Sequence, residues 1–500
     1  MASPSLVSWY PKKDQQKCGY CKSPSGSIMF GMWAHSLKVE EYQNLIDRGW
    51  RRSGHYCYKP VMDETCCPLY TIRCRSLEFQ PTKSQKKVMK KLNRFLKTGI
   101  LKEREKKEPE NETEEGCEER IINDRECPKI SDNIEEIIKE RDSKEKNTDQ
   151  ENQDKTDENQ TISGVLQNNT DINVAQSDTN PTFKQRAVKT GLGPDPNRPP
   201  CKKAKILRQE KKIKKLGSPC QNIAPQPSKS EGKSLEEFLN DFGDDDKHKL
   251  TLKLIDPTNS PNEWKKYERL EFDLYRKYQN IIHNDPPHKN SLEGFLRFLV
   301  KTPLKRQVHP DHKGNPRVPA FGSYHQQYWL DDKLIAVGVI DILPKCVSAV
   351  YFFYDPDYRE LTLGTYGALK EVQFARELYP TLGIPYYYMG FYVHSCRKMR
   401  YKGNLHPSDL LCPETCHWCP IEKCVDRLDK TKYCRFNEDQ SASDPEECTR
   451  EDLDSLKIIA GNMLLSYKTF KRTLDSEEEF KIMGDLIGKK TVKSLVLIVD

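Results

Sequence analysis

The chain has 500 residues, of which 35% are hydrophobic and 31% are charged, and its formal net charge at pH 7 is +7. This length suits two or three domains, but the composition is too polar for a single uniformly packed core. The modest positive charge is compatible with a phosphate-bearing partner. No run of about 18 apolar residues occurs, so we expect no membrane-spanning segment.

Cysteine usage indicates the compartment. The first residues show no charged region followed by an apolar run, so we expect no secretory signal. The chain nevertheless has 18 cysteines. In the reducing cytosol or nucleus, clustered cysteines bind metal or do redox chemistry more often than they form disulfides. We therefore expect the protein in the cytoplasm and nucleus.

Residues 1–101 form a mixed, cysteine-rich and aromatic block, which predicts a small N-terminal domain helped by a metal. Its last part, Ser84 to Thr98, places Val88, Leu92, Phe95 and Leu96 at helical spacing. Lysines occupy the other face, so the pattern predicts an amphipathic helix.

A candidate metal site lies within this block. Cys18 and Cys21 form a C-x-x-C knuckle, and the adjacent pair Cys66 and Cys67 follows about 45 residues later. Four thiolates make a closed tetrahedral zinc site, and thiolates also hold iron–sulfur clusters. A redox C-x-x-C motif and buried, unliganded cysteines are the alternatives.

Residues 102–246 are expected to form a disordered, charged insert. The first part is rich in Glu, Asp, Lys, Asn and Gln and has almost no aromatic residues, so it cannot bury enough apolar surface to fold. A lysine-rich run, Lys202 to Lys215, resembles a nuclear-localisation or RNA-contact segment. A merely solvated basic tract is the alternative.

Order is expected to return in residues 247–500, a block of mixed helices and strands. The apolar patterns predict, in chain order, helices at Glu271–His283 and Leu292–Val300, strands at Lys333–Ile340 and Val347–Tyr354, a helix at Leu361–Leu378 and a strand at Pro385–Val393. The order predicts an α+β or α/β fold for this block.

A second group of cysteines lies near the C-terminal end of this block. It consists of Cys412, Cys416, Cys419, Cys424 and Cys434, with His417 among them. The spacing is irregular, so both a second metal site and free or core thiols remain open.

Several strings of residues resemble one known family. CGYC (Cys18 to Cys21), WRRSGHYCYKP (Trp50 to Pro60) and CCPLYTIR (Cys66 to Arg73) resemble the N-terminal domain of eukaryotic arginyl-tRNA–protein transferases. IDILP (Ile340 to Pro344), SAVYFFYDPDY, LGTYGALKE, YYYMGFYV and CRKMRYK resemble the C-terminal domain of the same family. The two domains occur in the order that the family has.

The resemblance implies a GNAT-like acyltransferase fold for the C-terminal domain. It also implies that Cys18, Cys21, Cys66 and Cys67 bind zinc or an iron–sulfur cluster. In GNAT enzymes a strand diverges from its neighbour, and backbone amides at the start of a helix hold the phosphate of the acyl donor. The glycine pattern of this loop is degraded here, which suits an aminoacyl-tRNA donor and no coenzyme A.

The chemistry that the family implies suggests which residues form the site. The arginine guanidinium wants carboxylates, and stabilising the reacting groups needs polar side chains. The candidate catalytic residues are Asp341, Tyr351, Asp355, Asp357 and Glu371. The candidate substrate-binding and tRNA-binding residues are Tyr354, Arg359, Gly364, Gly367, Lys398, Tyr401 and Lys402. A surface charge or helix cap is the alternative for each carboxylate, and plain helix packing is the alternative for the two glycines.

The resulting prediction is an enzyme that transfers arginine from arginyl-tRNA to the N-terminal α-amino group of proteins. The expected acceptors begin with Asp, Glu or oxidised Cys, and arginylation would mark them for ubiquitin-dependent degradation in the N-degron pathway. A metal-stabilised RNA-binding protein without catalysis and a coenzyme-A-dependent GNAT acetyltransferase are the alternatives. The first does not account for the strand–loop–helix–strand order, and the degraded loop argues against the second.

Overall fold

The computed structural model describes residues 4–101, 233–243, 245–310, 318–473 and 477–499, with the side chains of residues 11–15 left aside. Most of the predicted insert, residues 102–232, and the basic run Lys202 to Lys215 therefore lie outside the described residues. Within the described part of the chain, no helix is both long enough and apolar enough to cross a membrane.

The strands of the described residues are, in chain order, β1 (Ser5–Gln16), β2 (Ser27–Ser36), β3 (Arg51–Ser53), β4 (Tyr56–Pro60), β5 (Tyr70–Arg75), β6 (Leu250–Ile255), β7 (Gly322–Leu330), β8 (Lys333–Leu343), β9 (Cys346–Tyr354), β10 (Tyr386–Tyr392), β11 (Ser408–Leu411), β12 (Trp418–Pro420), β13 (Lys457–Ala460), β14 (Met463–Ser466) and β15 (Leu495–Val499). In the part of the chain that is described they form two sheets, of seven and eight strands. The strand orders are β14-β13-β15-β1-β2-β4-β3 and β12-β11-β5-β10-β9-β8-β7-β6.

The α-helices of the same residues are α1 (Val39–Ile46), α2 (Lys83–Thr98), α3 (Leu235–Leu239), α4 (Pro261–Trp264), α5 (Glu268–Ile282), α6 (Leu292–Phe295), α7 (Leu363–Leu382), α8 (Arg397–Arg400), α9 (Ile421–Leu428), α10 (Arg450–Asp454), α11 (Tyr467–Phe470), α12 (Glu478–Ile487) and α13 (Lys489–Ser494). Short 3-10 turns at Ser76–Glu78, Pro287–Lys289, Pro356–Leu361, Tyr401–Asn404 and Lys471–Thr473 and a π-helical turn at Leu296–Val300 connect or extend them.

The N-terminal and C-terminal blocks of the sequence share both sheets. In the eight-stranded sheet, β5 pairs antiparallel with β10 on one side and with β11 on the other. In the seven-stranded sheet, β1 pairs parallel with β15, near the end of the chain. One continuous hydrophobic core contains side chains of both blocks, such as Tyr42 and Ile340. The two blocks, expected to be separate domains, therefore share both sheets and one hydrophobic core.

The predicted elements of both blocks form, and α2 shows why. Thr82 and Gln85 form a capping box at its start, and Gly99, at φ 68°, ends it in the left-handed conformation that glycine adopts without strain. The helix buries Met89 and Leu92 against the core, as its apolar spacing requires. The predicted helix at Leu292–Val300 begins at Leu292, where the Ser291 side chain caps it, but its second half is a π-helical turn.

The end of the predicted insert belongs to the fold. Ser234 caps helix α3, whose Leu235 and Leu239 are buried in the core beside α2 and α7. The Lys370 Nζ of α7 donates to the Leu239 carbonyl at 3.3 Å. The sequence Ser-Leu-Glu-Glu-Phe-Leu already contains the capping box and the apolar positions, but the polar residues on both sides hide them in a composition average. Residues 233–243, which the sequence analysis assigned to the insert, are therefore part of the described fold.

Strands β9 and β10 run parallel at the centre of the larger sheet and then part. They pair at three positions, ending with Tyr388 opposite Ser348, although both strands continue. Beyond this point β10 has an irregularity in its pairing with β5, and Gly390 there has a φ of 71°. That left-handed conformation bends the strand at little cost only because the residue is glycine. Helix α7 packs against β9 and follows it after the turn at Pro356–Leu361.

Candidate functional site

Four cysteines of the N-terminal block converge as the sequence predicted. The sulfur atoms of Cys18, Cys21, Cys66 and Cys67 all lie within 4.8 Å of one another. The Cys21 and Cys66 sulfurs are 3.4 Å apart. Burial acts to raise the pKa of the Cys21 thiol, but hydrogen bonds from the Ser23 backbone and the neighbouring thiols lower it to about 7. A thiol of lowered pKa readily becomes the thiolate that binds a metal.

The backbone around this group is arranged to bring the two cysteine pairs together. The Gly26 carbonyl accepts from the Cys66 amide at 2.8 Å, and a Cβ on Gly26 would lie 2.5 Å from the Cys66 sulfur. Glycine is therefore needed at this close approach. The group packs against the end of β10, where Phe391 is buried beside Cys18 and Cys67 in the same apolar cluster.

The second group of cysteines is not assembled in the same way. Among the described residues, the N-terminal group is the one set of three or more His, Cys, Asp or Glu side chains close enough to hold one ion. Cys412 is buried and accepts from the Phe436 amide at 3.3 Å. Cys424 points at the backbone carbonyl of Pro420, 3.4 Å away. These contacts are those of thiols packed in a core and its rim.

Asp341, a candidate for binding arginine, is bound by an arginine of its own chain. It lies fully buried on β8 and forms a two-pronged ion pair with Arg52 of β3, at 2.8 and 2.5 Å. Its Oδ1 also accepts from the Ser323 hydroxyl at 2.7 Å. Both carboxylate oxygens are therefore occupied, and the pair joins the two blocks of the chain.

Asp355 and Asp357 are linked to lysines at the turn before α7. The buried Asp355 accepts from Lys277 at 2.6 Å and from Lys333 at 2.8 Å, and it also caps the turn by accepting from the Asp357 amide. Burial alone would raise the pKa of Asp355, but the two lysines hold it below its usual value. Asp357 is exposed and bonds to the same Lys277 at 2.7 Å. Asp355 thus stabilises the turn that leads to the helix.

Glu371 is the candidate carboxylate without a cationic partner among the described residues. It lies on α7, 2% exposed, and accepts from the Tyr387 hydroxyl at 2.6 Å. Its Oε1 stands over β8, where a Cβ on Gly338 would approach it to 2.8 Å. Burial raises the pKa of Glu371 to about 7, although the bond from Tyr387 opposes this. Tyr387 precedes the last residue at which β9 and β10 pair.

The buried hydroxyl of Tyr366, also on α7, has no hydrogen-bond partner among the described residues. Tyr366 and Glu371 are both close enough to Tyr328 of β7 to influence its ionisation. Unpaired buried polar atoms are rare in folded proteins because each costs free energy. The buried side of α7 therefore holds two polar groups that could bind a ligand, the Tyr366 hydroxyl and the Glu371 carboxyl.

Two of the three candidate tyrosines, Tyr351 and Tyr354, lie on β9 beyond the point at which β10 departs. The Tyr351 hydroxyl donates to Gln279 of α5 at 3.2 Å. Tyr354 packs edge-on against Tyr278 of the same helix, with ring centroids 5.0 Å apart. Both side chains thus face α5.

The two candidate glycines of α7 differ in their surroundings. A Cβ on Gly367 would lie 2.3 Å from the Phe352 ring, so glycine lets the helix pack closely on β9. Gly364, in the first turn of the helix, has open space at its Cβ position. Arg359, in the turn before the helix, is exposed.

The remaining candidates cluster beyond β10. Lys398 of α8 and Tyr401 after it are exposed. Lys402, by contrast, is buried, and its Nζ donates to the Phe391 carbonyl at 2.9 Å. Lys402 therefore brings a positive charge to the bend of β10.

Several partners of these residues were missed by sequence reasoning. Arg52 lies 289 positions from Asp341, and Lys277 and Lys333 belong to separate elements. Such long-range pairs cannot be inferred from the spacing of residues along the sequence. The one available signal was the occurrence of Arg51 and Arg52 within an aromatic, β-strand-like run, where a buried cation requires a partner.

Comparisons with known proteins place this geometry in a class. Residues 16–87 match the family model described as arginine-tRNA-protein transferase, N terminus, and residues 270–412 match the one described as the C terminus. The chain is 39% identical to arginyl-tRNA–protein transferase 1 of Drosophila melanogaster over 99% of both chains. It is 33% identical to arginyl-tRNA–protein transferase 2 of Arabidopsis thaliana, over 84% of this chain and 76% of the relative.

More distant relatives match only a part. An aspartate/glutamate leucyltransferase of Acinetobacter baumannii is 33% identical over 29% of this chain and 45% of its own. A domain assigned to a lysylphosphatidylglycerol synthetase of Agrobacterium fabrum covers 34% of this chain and 48% of its own, with a TM-score of 0.19 and 11% identity. That likeness is too low to carry an argument about the fold.

The class is thus that of tRNA-dependent protein aminoacyltransferases, which both matching family models describe. Because the similarity to the Drosophila relative extends over nearly the full length of both chains, the chain belongs to the arginyl-tRNA–protein transferase family.

Proposed function

We propose that the protein transfers arginine from arginyl-tRNA to the N-terminal α-amino group of proteins that begin with Asp, Glu or oxidised Cys. The observation that carries this proposal is the match to arginyl-tRNA–protein transferases along the whole chain. The parting of β9 and β10 beside α7 supports it, because such an opening in a sheet can receive an activated acyl group.

The donor end is assigned to the start of α7. The first amides of an α-helix have no partner within the helix and attract anions, including phosphates. Thr362, with a φ of 57°, turns the chain into this helix, and the space at Gly364 leaves room for the 3′ end of the tRNA. This is a GNAT-like arrangement in which the tRNA end replaces coenzyme A.

The arginine head group is assigned to Glu371. Asp341 and Asp355 are already neutralised by cations of this chain, whereas Glu371 has no such partner among the described residues. A guanidinium pairs with a carboxylate through charge-assisted hydrogen bonds. An incoming arginine would also favour the ionised form of a carboxyl whose pKa burial has raised.

The reaction itself needs orientation more than covalent help, because the arginyl ester is already activated. The free α-amine attacks the ester carbonyl, a C–N bond forms, and the C–O bond to the tRNA ribose breaks. The amine proton passes to the departing ribose oxygen, directly or through water, and restores the ribose hydroxyl. Backbone amides at the strand opening stabilise the oxyanion that forms between these steps.

The acceptor's acidic side chain is assigned to the bend of β10. Lys402 brings a buried positive charge there, and the exposed Lys398 lies on the preceding helix. Arg359, in the turn before α7, is the further basic candidate. The basic residue His325 is not available for this role, because it is buried and its Nδ1 lies 2.6 Å from a carboxylate oxygen of Glu271. Arginylated products of this kind would enter ubiquitin-dependent degradation in the cytoplasm and nucleus.

The four cysteines fit a metal ion or an iron–sulfur cluster. Four sulfur atoms within 4.8 Å of one another are a soft ligand set suited to either, and Gly26 gives the close approach that the set requires. When bound, the group would hold the N-terminal loops together at the end of β10. The residues that would hold it are Cys18, Cys21, Cys66 and Cys67.

An assay with labelled arginyl-tRNA tests the proposed function. Matched peptides that begin with Asp, Glu, Ala or Lys are offered as acceptors, and labelled acetyl-coenzyme A is offered in parallel. We expect arginine to appear on the Asp and Glu peptides only and no transfer of acetyl. Equal labelling of all four peptides would contradict the acceptor assignment, and no labelling would contradict the enzymatic function.

Elemental analysis tests the cysteine assignment. The protein is expected to contain zinc or iron and to lose it in Cys18→Ser and Cys21→Ser. Cys448→Ser, outside the group, is the matched control and should retain it. Unchanged zinc and iron in the first two variants would disprove the site.

A further inference from the structure

Helix α2 presents a dense row of positive charge. Its 16 residues contain six lysines and one arginine and no acidic residue. Lys83, Lys87, Lys90, Arg94 and Lys97 are exposed. At about 100° per residue these five fall within about 80° of one another, and they extend over about 21 Å of helix. The row is therefore one straight cationic face.

Part of this charge is not balanced by carboxylates of the described residues. Lys97 lies 3.5 Å from Asp241, and Lys90 lies over the Phe238 ring. Within the described residues, Lys83, Lys87 and Arg94 have no carboxylate within ion-pair distance. Like charges at helical spacings of four residues repel one another and destabilise a helix slightly. The charges of Lys83, Lys87 and Arg94 on this face therefore suit the binding of an external anion.

The opposite, apolar face of α2 limits the kinds of partner that its cationic face can bind. Met89, Leu92, Phe95 and Leu96 are buried in the core. A basic amphipathic helix binds a membrane by inserting its apolar face, and that face is not available here. The cationic face must therefore act through charge, on a polyanion or on an acidic protein.

The position of α2 relates the row to the proposed donor site. The helix packs against α7 and against the turn at Pro356–Leu361, which leads to the start of α7. Lys91 donates to the Glu360 carbonyl in that turn, and Phe95 packs edge-on against Tyr358. The second half of α2 therefore lies beside the segment to which the tRNA 3′ end is assigned.

We propose that the exposed face of α2, centred on Lys83, Lys87 and Arg94, binds backbone phosphates of the donor tRNA behind its 3′ end. The inference rests on the proposed function, because the partner is the donor tRNA. A nucleic acid supplies a regular series of charges over about 21 Å, whereas an acceptor protein is recognised at one acidic N-terminal residue. Lysines and arginines on such a row position a nucleic acid through its backbone without reading its sequence.

The test uses the full chain with Lys83→Gln, Lys87→Gln and Arg94→Gln combined. Glutamine keeps the helix propensity and removes only the charge. Binding of full-length tRNA is measured over a series of salt concentrations. Each lost phosphate contact lowers the slope of log affinity against log salt by about 0.7 to 0.9, so three contacts lower it by about 2 to 3. We expect affinity at about 0.1 M salt to fall by about 10- to 100-fold.

A matched control has the same change of charge elsewhere. Lys468→Gln, Arg472→Gln and Lys481→Gln alter two exposed lysines and one arginine near β14, in the other sheet. This variant should keep the tRNA affinity and salt slope of the unaltered protein. Circular dichroism of both variants verifies that the fold is intact.

A short donor separates this inference from the proposed function. A trinucleotide that carries arginine on its 3′ end reaches the start of α7 but not the length of α2. The α2 variant should use it as well as the unaltered protein does, while its KM for arginyl-tRNA rises. No arginine transfer by the unaltered protein would overturn the proposed function. Unchanged tRNA affinity and slope in a folded α2 variant, or a raised KM for the acceptor peptide alone, would overturn the inference.

Discussion

Replacing Glu371 by Gln should change how the stability of the protein depends on pH. Glu371 is 2% exposed and has a single hydroxyl partner, Tyr387, among the described residues. Gln keeps the size of the side chain and an oxygen that accepts from Tyr387, but it cannot ionise. The substitution therefore isolates the free-energy cost of the buried charge.

The magnitude follows from the pKa of the folded state. Burial raises the pKa of Glu371 from its ordinary value of 4.5 to about 7. Below the lower value the carboxyl is protonated in both states, so it adds no pH dependence. Between the two values the unfolded chain releases its proton first, and stability falls as pH rises. At about 1.4 kcal/mol for each unit of pKa difference, the total loss above pH 7 is about 3 kcal/mol.

Urea unfolding at several pH values measures this difference. From about pH 5.5 to about pH 8, the free energy of unfolding of Glu371→Gln should rise by about 2 kcal/mol relative to that of the unaltered protein. Glu479→Gln, at an exposed position of α12, is the control and should follow the unaltered protein. A constant difference between Glu371→Gln and the unaltered protein over this range would show that the carboxyl does not titrate as its burial requires.

Three further predictions address the rest of the site. Asp341→Asn should lower the free energy of unfolding by roughly 3–5 kcal/mol in thermal or urea unfolding, because it leaves a buried guanidinium unpaired. Gly367→Ala should cost about 1–3 kcal/mol by overpacking, while Gly364→Ala should leave stability nearly unchanged and weaken donor binding as measured by KM for arginyl-tRNA. Replacing residues 102–232 by a short Gly/Ser linker should leave arginine transfer within a few-fold, whereas a deletion of 102–246 should destabilise the protein, because it also removes α3.

Local pattern was sufficient to predict the secondary structure around the site. The apolar spacing and the capping residues of α2 are contained in a single stretch of chain, and so are the β-branched runs of β8 and β9. The C-x-x-C knuckle and the adjacent cysteine pair likewise indicated a shared site before any geometry was known. These are properties that neighbouring residues decide.

Long-range pairing could not be predicted in the same way. The insertion of β5 between β10 and β11 joins residues more than 300 positions apart, and no periodicity records that partnership. The same holds for Asp341, whose acidic character suggested a substrate pocket until Arg52 was seen against it. Glu371 had the same appearance in sequence as Asp341. The difference between them lies only in the cations that the fold places nearby.

The shared sheets lead to one last prediction, about two fragments. If the chain is cut within residues 102–232, the fragment of residues 1–101 retains β5, which lies between β10 and β11 in the larger sheet. Lys97 and Lys233, on opposite sides of the cut, both contact Asp241, at 3.5 and 3.2 Å, so the two ends remain close. Each fragment alone would expose unpaired strand edges.

We therefore expect the two fragments to stay together after limited proteolysis or when produced side by side. They should co-elute in size-exclusion chromatography and keep arginine transfer. Either one alone should aggregate, because unpaired β edges invite contacts with other chains. A C-terminal fragment of residues 233–500 that is monomeric, folded and active by itself would contradict this expectation. It would show that β10 and β11 can close the sheet without β5, and that Asp341 does not need Arg52.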